Sequence, residues 1–166
     1  MTKQSMIKKT LWSEYDVNKT IFQAIRLNEG DRVISVQPAD PDEEGTTIFM
    51  VTRGGMCINA KNEIPVQKRI AGGVRGINLK EGDEVIFASQ IHEEGEIVTV
   101  TADGRFKRVI AAQIDPLPRY RKGVQITSLK GTELIFADYV TEPYTLAVRT
   151  DEDEVLEIDT EDIPID

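Results

Sequence analysis

Cysteine and histidine are almost missing from this sequence: Cys57 and His92 are the only ones among 166 residues. One thiol forms no internal disulfide, and a single cysteine with a single histidine falls short of the ligand set of a structural zinc site. A Ser-His or Cys-His nucleophilic pair would have to use His92, which sits in the polar run His92-Glu93-Glu94-Gly95 and reads as a turn. Cys57, between Met56 and Ile58 in a β-patterned stretch, reads as a buried structural thiol. No apolar run approaches the roughly 20 residues of a membrane helix. Met1 to Thr10 is polar and basic, without the apolar core of a secretion signal. These absences predict a cytoplasmic chain with no membrane partner, no metal or other cofactor, and no catalytic centre of its own.

The chain is 40% hydrophobic and 30% charged, the profile of a globular protein rather than a disordered one. Its net charge of −9 is unevenly placed. Nine of the 29 acidic residues fall between Thr150 and Asp166, a segment with no Lys or Arg, and the remaining 20 balance the 20 basic residues. Thr101 to Lys130 holds seven Lys or Arg against two Asp. Such asymmetry predicts a basic face beside an acidic tail.

A fixed period governs the rest. Glu84-Val85-Ile86-Phe87-Ala88 recurs as Glu133-Leu134-Ile135-Phe136-Ala137, 49 residues on, and Arg32-Val33-Ile34-Ser35-Val36 precedes it by 52. Ile25-Arg26-Leu27-Asn28-Glu29-Gly30-Asp31 matches Ile77-Asn78-Leu79-Lys80-Glu81-Gly82-Asp83, with a shortened third copy at Ser128-Leu129-Lys130-Gly131-Thr132. Val51-Thr52-Arg53-Gly54-Gly55 returns as Val100-Thr101-Ala102-Asp103-Gly104, and Thr2-Lys3-Gln4-Ser5 resembles a first copy cut at its start. Ile64-Pro65, Ile114-Asp115-Pro116 and Ile163-Pro164 fall at matching phases. Self-similarity near 50 residues is the signature of a repeat architecture.

Each repeat reads as strands. Ile48 to Thr52 and Ile97 to Thr101 are β-branched runs that end at Gly54-Gly55 and Asp103-Gly104, where glycine accepts the left-handed backbone of a hairpin. Met56 to Ile58 and Arg105 to Val109 follow, then a proline-containing link, a third strand near Ile77, the turn Lys80-Glu81-Gly82-Asp83 and a fourth strand near Val85. No segment has a 3.6-residue apolar period, and Leu11 to Ile25 holds one helical turn at most. Four strands per 50 residues is the arithmetic of a propeller blade. The expected repeats are 1–45, 46–95 and 96–144, with a partial repeat and acidic tail at 145–166, so the predicted class is all-β, an incomplete propeller-like ring.

Phe49 to Gly55 followed by Gly72-Gly73-Val74-Arg75-Gly76-Ile77-Asn78-Leu79-Lys80-Glu81-Gly82-Asp83-Glu84-Val85 resembles the repeats of the C-terminal domain of the A subunit in DNA gyrase and topoisomerase IV, type IIA topoisomerases. Thr2 to Thr10 is similar to the family's first blade, and the resemblance covers nearly the whole chain. It implies a β-pinwheel, a propeller-like ring whose blades exchange strands. It also implies non-specific binding and bending of duplex DNA along the rim, and no catalysis within the domain. The implied protein partners are the rest of the A subunit, which carries the domain, and through it the ATPase B subunit. The candidate DNA-binding residues recur in phase. One group follows the hairpin turn: Lys8 and Lys9, then Arg105, Lys107 and Arg108. The other precedes the third strand: Lys68, Arg69 and Arg75, then Arg119, Arg121 and Lys122, with Tyr120 between two arginines. Gly72-Gly73 reads as a turn or as a phosphate-approach site.

One family feature does not carry over. Gyrase A subunits have the heptad Gln-Arg-Arg-Gly-Gly-Lys-Gly in the first blade, where this chain has Val17-Asn18-Lys19-Thr20-Ile21-Phe22-Gln23. The nearest run is Gln67 to Gly76, interrupted by Ile70-Ala71. The resemblance therefore does not extend to the gyrase-style chiral wrap, and gyrase and topoisomerase IV both stay open. In the tail, Val155-Leu156-Glu157-Ile158 has strand character with Asp153-Glu154 in its turn, while the acidic load would compete with DNA for the basic rim or serve solubility. The alternative is a propeller-like scaffold that binds another protein, or a spacer, without DNA.

Overall fold

A computed structural model describes residues 1–92 and 94–166. The expected turn His92-Glu93-Glu94-Gly95 thus includes Glu93, which lies outside the described residues.

The repeat begins with a threonine turn. Thr2, Thr52, Thr101 and Thr150 each accept, at Oγ1, the backbone N–H four residues on: Met6 at 3.1 Å, Met56 at 3.2 Å, Arg105 at 2.9 Å and Glu154 at 3.2 Å. Each threonine carbonyl also accepts the N–H three residues on, from Ser5, Gly55, Gly104 and Asp153. Those four residues have φ between 61° and 80°. A turn closed by a left-handed residue makes a three-residue hairpin loop, and the threonine hydroxyl reinforces it by bonding local backbone. The fourth copy, Thr150-Asp151-Glu152-Asp153, falls on the turn expected at Asp153-Glu154, with an aspartate in the glycine position.

Eleven strands lie in the described residues. They are β1 (Met6–Ile7), β2 (Thr47–Thr52), β3 (Met56–Lys61), β4 (Val74–Arg75), β5 (Val85–Ile91) and β6 (Glu96–Thr101), then β7 (Phe106–Ile110), β8 (Val124–Gln125), β9 (Leu134–Val140), β10 (Thr145–Arg149) and β11 (Val155–Asp159). The helical turn allowed between Leu11 and Ile25 is a single 3₁₀ turn at Trp12–Tyr15. The hairpins are β2–β3, β6–β7 and β10–β11, all antiparallel. A fourth-type strand lies against the first strand of two of them, β5 on β2 and β9 on β6, and both ladders shift register at the threonine turn. Thr2 pairs with Val33 in the same manner.

The third strand leaves its own repeat. β4 pairs with β1, and β8 pairs with β3, so that Met6 opposite Arg75 is reproduced 50 residues later as Met56 opposite Gln125. The proline links also reach back, through parallel bridges Lys9 to Val66, Ala60 to Leu117 and Arg108 to Ile165. A proline suits this place because it lies at a sheet edge, where its missing N–H leaves no ladder bond broken. Strand exchange needs close backbone approach. A Cβ at Gly73 would lie 2.5 Å from the Ile7 carbonyl oxygen and one at Gly123 2.0 Å from that of Cys57, with φ of 87° and 72°. Gly73 is therefore a site of close strand approach, with the positive φ that the turn reading needs. The architecture is a partial β-pinwheel of open sheets.

Backbone bonds at the residues after Thr2 and Thr52 stitch neighbouring repeats. Arg53 donates its N–H to Glu84 O and accepts Leu134 N–H, both at 2.9 Å. Lys3 likewise donates to Arg32 O and accepts Val85 N–H. Side chains follow the same route: Lys3 lies 3.3 Å from Glu84, Arg53 pairs with Glu84, and Arg53 reaches Glu133 at 3.5 Å.

Stacked sheets enclose the core. Ile48 and Met50 of β2 pack with Ile7, Ile58, Ile64 and Ile77, while Phe49 and Val51 pack with Cys57, Ile97, Val109, Ile126 and Leu134. β2 is covered on both faces, hence its unbroken apolar run in place of alternation. Burial pushes the Cys57 thiol up to about 12. On β10–β11 the positions of Phe49, Val51, Cys57 and Asn59 are taken by Ala147, Arg149, Val155 and Glu157, all exposed. Much of the acidic tail is thus the outer, wet face of a hairpin, while Ile163 beyond it is fully buried.

Two predictions test this fold. Gly123→Ala meets a backbone carbonyl and should cost more than about 3 kcal/mol, whereas Gly104→Ala, with nothing within 4 Å, should cost only about 1 kcal/mol for its φ of 80°. Urea unfolding of both variants measures the gap, and equal costs would refute the close approach. Burial acts to raise the Glu84 carboxyl, but the hydrogen bond and charge of Lys3 and the charge of Arg53 outweigh it and hold the carboxyl below its ordinary value. A depressed folded value stabilises fully above the unfolded value of about 4.3 and is lost as pH falls through the folded one. The stability gap between wild type and Glu84→Gln, about 0.5–1 kcal/mol at pH near 7, should therefore shrink in acid; a gap that persists near pH 3 would show that charge is not its source.

Candidate nucleic-acid interface

The two groups of basic residues meet different fates. In the group after the hairpin turn, the cations are turned inward or neutralised within the fold. Lys8 Nζ donates to the carbonyls of Ala24 at 2.7 Å, Lys68 at 3.4 Å and Arg69. Burial, then the nearby Arg69 charge, lowers its pKa against the opposing effect of Glu14. Lys9 is half-buried, and its carbonyl accepts the Gln67 N–H. Arg105 Nε lies 3.1 Å from Asp103, Lys107 lies 2.8 Å from Asp166, and Arg108 lies 3.2 Å from Glu96 with a side chain only 14% exposed. The Asp166 carboxyl is held below its usual range by the Lys107 hydrogen bond. Asp166 reaches Lys107 because the backbone pairs there: Arg108 N–H donates to Pro164 O at 3.2 Å, and Asp166 N–H to Arg108 O at 3.0 Å. The tail therefore does touch the basic candidates, through its last residue.

The group before the third strand stays outside such pairing. Among the described residues no carboxylate lies within 4.0 Å of the charged atoms of Lys68, Arg75, Arg119, Arg121 or Lys122. Strand exchange gathers four of them. A parallel bridge joins Ile77 to Arg121, Asn78 N–H donates to Arg121 O at 2.8 Å, and Tyr120 N–H donates to Gly76 O at 2.5 Å. This places Arg119, Tyr120, Arg121 and Lys122 of one repeat beside Arg75 of the repeat before. The Arg75 guanidinium lies 5.3 Å from the Tyr120 ring centroid and donates to its hydroxyl at 2.7 Å, while Arg119 reaches the Arg75 carbonyl at 3.5 Å. Arg75, Arg121 and Lys122 are exposed.

The preceding junction is built alike. Arg26 N–H donates to Ala71 O at 3.4 Å, the counterpart of Asn78 to Arg121, so exposed Arg26 stands beside Ala71 and Gly72, in the link that also carries Lys68 and Arg69. Arg69 is half-tied: its guanidinium lies over Phe22 at 5.5 Å and donates to the Gln23 carbonyl. Sequence reasoning does not single out Arg26. The alignment of Ile25-Arg26-Leu27 with Ile77-Asn78-Leu79 contains the signal, but only the exchanged pairing shows what that position adjoins.

Comparison with known proteins identifies the family and the fold. Residues 1–40, 46–92 and 95–137 match the profile of the DNA gyrase C-terminal domain, beta-propeller. Over 161 residues, 95% of this chain, it is 32% identical to the DNA gyrase A subunit of Kosmotoga olearia, of which it covers 19%. It is 31% identical over 126 residues, 74% of the chain, to the DNA topoisomerase 4 A subunit of Bacillus subtilis, covering 15% of that protein. The DNA gyrase A subunit of Escherichia coli is 31% identical over 134 residues, 80% of this chain and 15% of that one. The fold matches the crystal structure of the C-terminal domain of DNA topoisomerase IV with a TM-score of 0.88 at 24% identity, covering all of this chain and 53% of that one. The DNA gyrase A C-terminal domain gives 0.76 at 20% identity, covering 97% of this chain and 54% of that one. The chain thus spans under a fifth of these full-length relatives and about half of the solved domains. Matched in three successive blocks by the profile and at above 30% identity by these relatives, the chain belongs to the DNA gyrase C-terminal domain, beta-propeller, family.

Proposed function

We propose that this chain binds and bends duplex DNA without sequence preference, as a non-catalytic module of a cytoplasmic type IIA topoisomerase that assists supercoiling or decatenation. Its partners on this reading are duplex DNA, the rest of the topoisomerase A subunit, and through it the ATPase B subunit. The observation that carries the proposal is the cationic cluster of exposed Arg75, Arg121 and Lys122 with half-buried Arg119, which has no carboxylate partner among the described residues. Neighbouring like charges repel by about 1 kcal/mol at 4 Å in water. Such a cluster gains when a polyanion supplies the missing charge and releases its own counterions. Duplex DNA carries about one charge per 1.7 Å of axis and is recognised in this way through its backbone. The equivalent cations at the preceding junction, Arg26 and Lys68, extend the surface by one repeat. Bending costs several kcal/mol for tens of base pairs, so contacts at successive repeats are what a bent path requires.

The second reading, a protein-interaction scaffold, is favoured by exposed apolar residues in the first repeat, Leu11, Trp12 and Ile21. Salt dependence separates the two, since only backbone neutralisation of DNA gives a steep decline with salt.

In mobility-shift titrations on plain duplex DNA, joint replacement of Arg75, Arg119, Arg121 and Lys122 by glutamine should weaken binding more than about 30-fold and lower the salt slope by about 3 to 4. Joint replacement of Arg105, Lys107 and Arg108 should weaken it less than about threefold, because those cations already have carboxylates. A reversed order of these effects would move the DNA path to the hairpin strands. Removing the tail is not a clean test, since Ile163 and Thr160 are buried. Converting exposed Asp151, Glu152 and Glu154 to amides keeps the hairpin and should strengthen binding about two- to fivefold at low salt; unchanged affinity would leave those carboxylates to solubility alone.

A further inference from the structure

Tyr120 stands at the middle of the unpaired cationic cluster with φ of 63°, a left-handed conformation that bulky residues seldom adopt. Such strain persists where the surroundings over-determine it. Burial does not, because the side chain is 41% exposed. Its contacts are with arginine: the Arg75 guanidinium stacks at 5.3 Å from the ring centroid and donates to the hydroxyl at 2.7 Å. The backbone is clamped in the same place, with Tyr120 N–H on Gly76 O and Arg119 on the Arg75 carbonyl. An exposed arginine on a two-residue strand is otherwise rotamer-rich, and fixing it beforehand reduces the freedom lost on binding.

We infer that Tyr120 is a positioning residue of the DNA surface: from one repeat it fixes the guanidinium of Arg75 on the repeat before, so that a phosphate contact depends on an uncharged side chain across the junction. The inference rests on the DNA-binding reading above. The left-handed backbone at Tyr120 turns the ring towards Arg75, and the pair presents a pre-oriented cation instead of a flexible one.

The test uses the full chain and a short duplex of arbitrary sequence, with affinity followed by fluorescence anisotropy across a salt series. Arg75→Ala removes one phosphate contact and should lower the slope of log affinity on log salt by about 1. Tyr120→Asn keeps the backbone, since asparagine tolerates the left-handed region. It should weaken binding about three- to tenfold and lower the slope by the same amount, roughly 1, although no charge is removed. Adding Arg75→Ala to Tyr120→Asn should then weaken binding less than about twofold further. Tyr120→Phe, which retains the ring and loses the hydroxyl acceptor, should fall between wild type and Tyr120→Asn, and it serves as the probe if the asparagine variant melts early. An unchanged slope in the tyrosine variants, or a full Arg75→Ala effect in both backgrounds, overturns the inference while DNA binding stands. Absence of salt-dependent binding by the wild-type chain overturns both.

Discussion

The residue after each of the first two repeating threonines belongs to two repeats at once. Arg53 gives its N–H to Glu84 in its own repeat and its carbonyl to Leu134 of the next, and Lys3 does the same with Arg32 and Val85. Buried backbone groups must be paired, so these turns hold only while consecutive repeats stay in register. The threonine hydroxyl and the left-handed residue set the turn locally; the neighbouring repeat completes it. This is nearest-neighbour stability of the kind expected for repeat arrays, in which each unit depends on the one beside it.

Strand exchange has an electrostatic consequence. It carries Arg119, Arg121 and Lys122 across a junction to Arg75, some 45 residues away along the chain. By the same mechanism Asp166 comes back to Lys107, whereas Glu96 meets Arg108 diagonally within a single hairpin. One topology therefore sorts equal-looking basic residues into compensated and uncompensated sets. The overall −9 says little about the surface any partner meets, because much of the excess acid lies on the uncovered face of β10–β11 and in the turn that joins them. Local sign, rather than net charge, decides where a polyanion can settle.

The contrast between Gly123 and Tyr120, three residues apart and both left-handed, separates two uses of the same backbone region. At Gly123 the conformation serves packing, because a Cβ would enter the Cys57 carbonyl. At Tyr120 a side chain is kept in spite of the conformational penalty, and its contacts are with an exposed arginine.

The sequence by itself determined the period, the strand content and the hairpin turns, since threonine, glycine and β-branched runs act over a few residues and need no distant partner. The β-branched run Ile48 to Thr52 indicated a strand, and the phased Ile-Pro pairs marked the links, whose isoleucines Ile64 and Ile163 are buried. The fourth turn is legible there as a turn at Asp153-Glu154 but not as a copy of the threonine turn, because Asp153 takes a left-handed φ that sequence associates with glycine. The tertiary structure alone decided which cations pair. Lys8, Lys107 and Arg121 look alike as letters, yet one is enclosed by carbonyls, one meets a carboxylate 59 residues on, and one is exposed with no carboxylate in reach among the described residues. Charge compensation acts through space over a few ångströms, and strand exchange between repeats sets those distances.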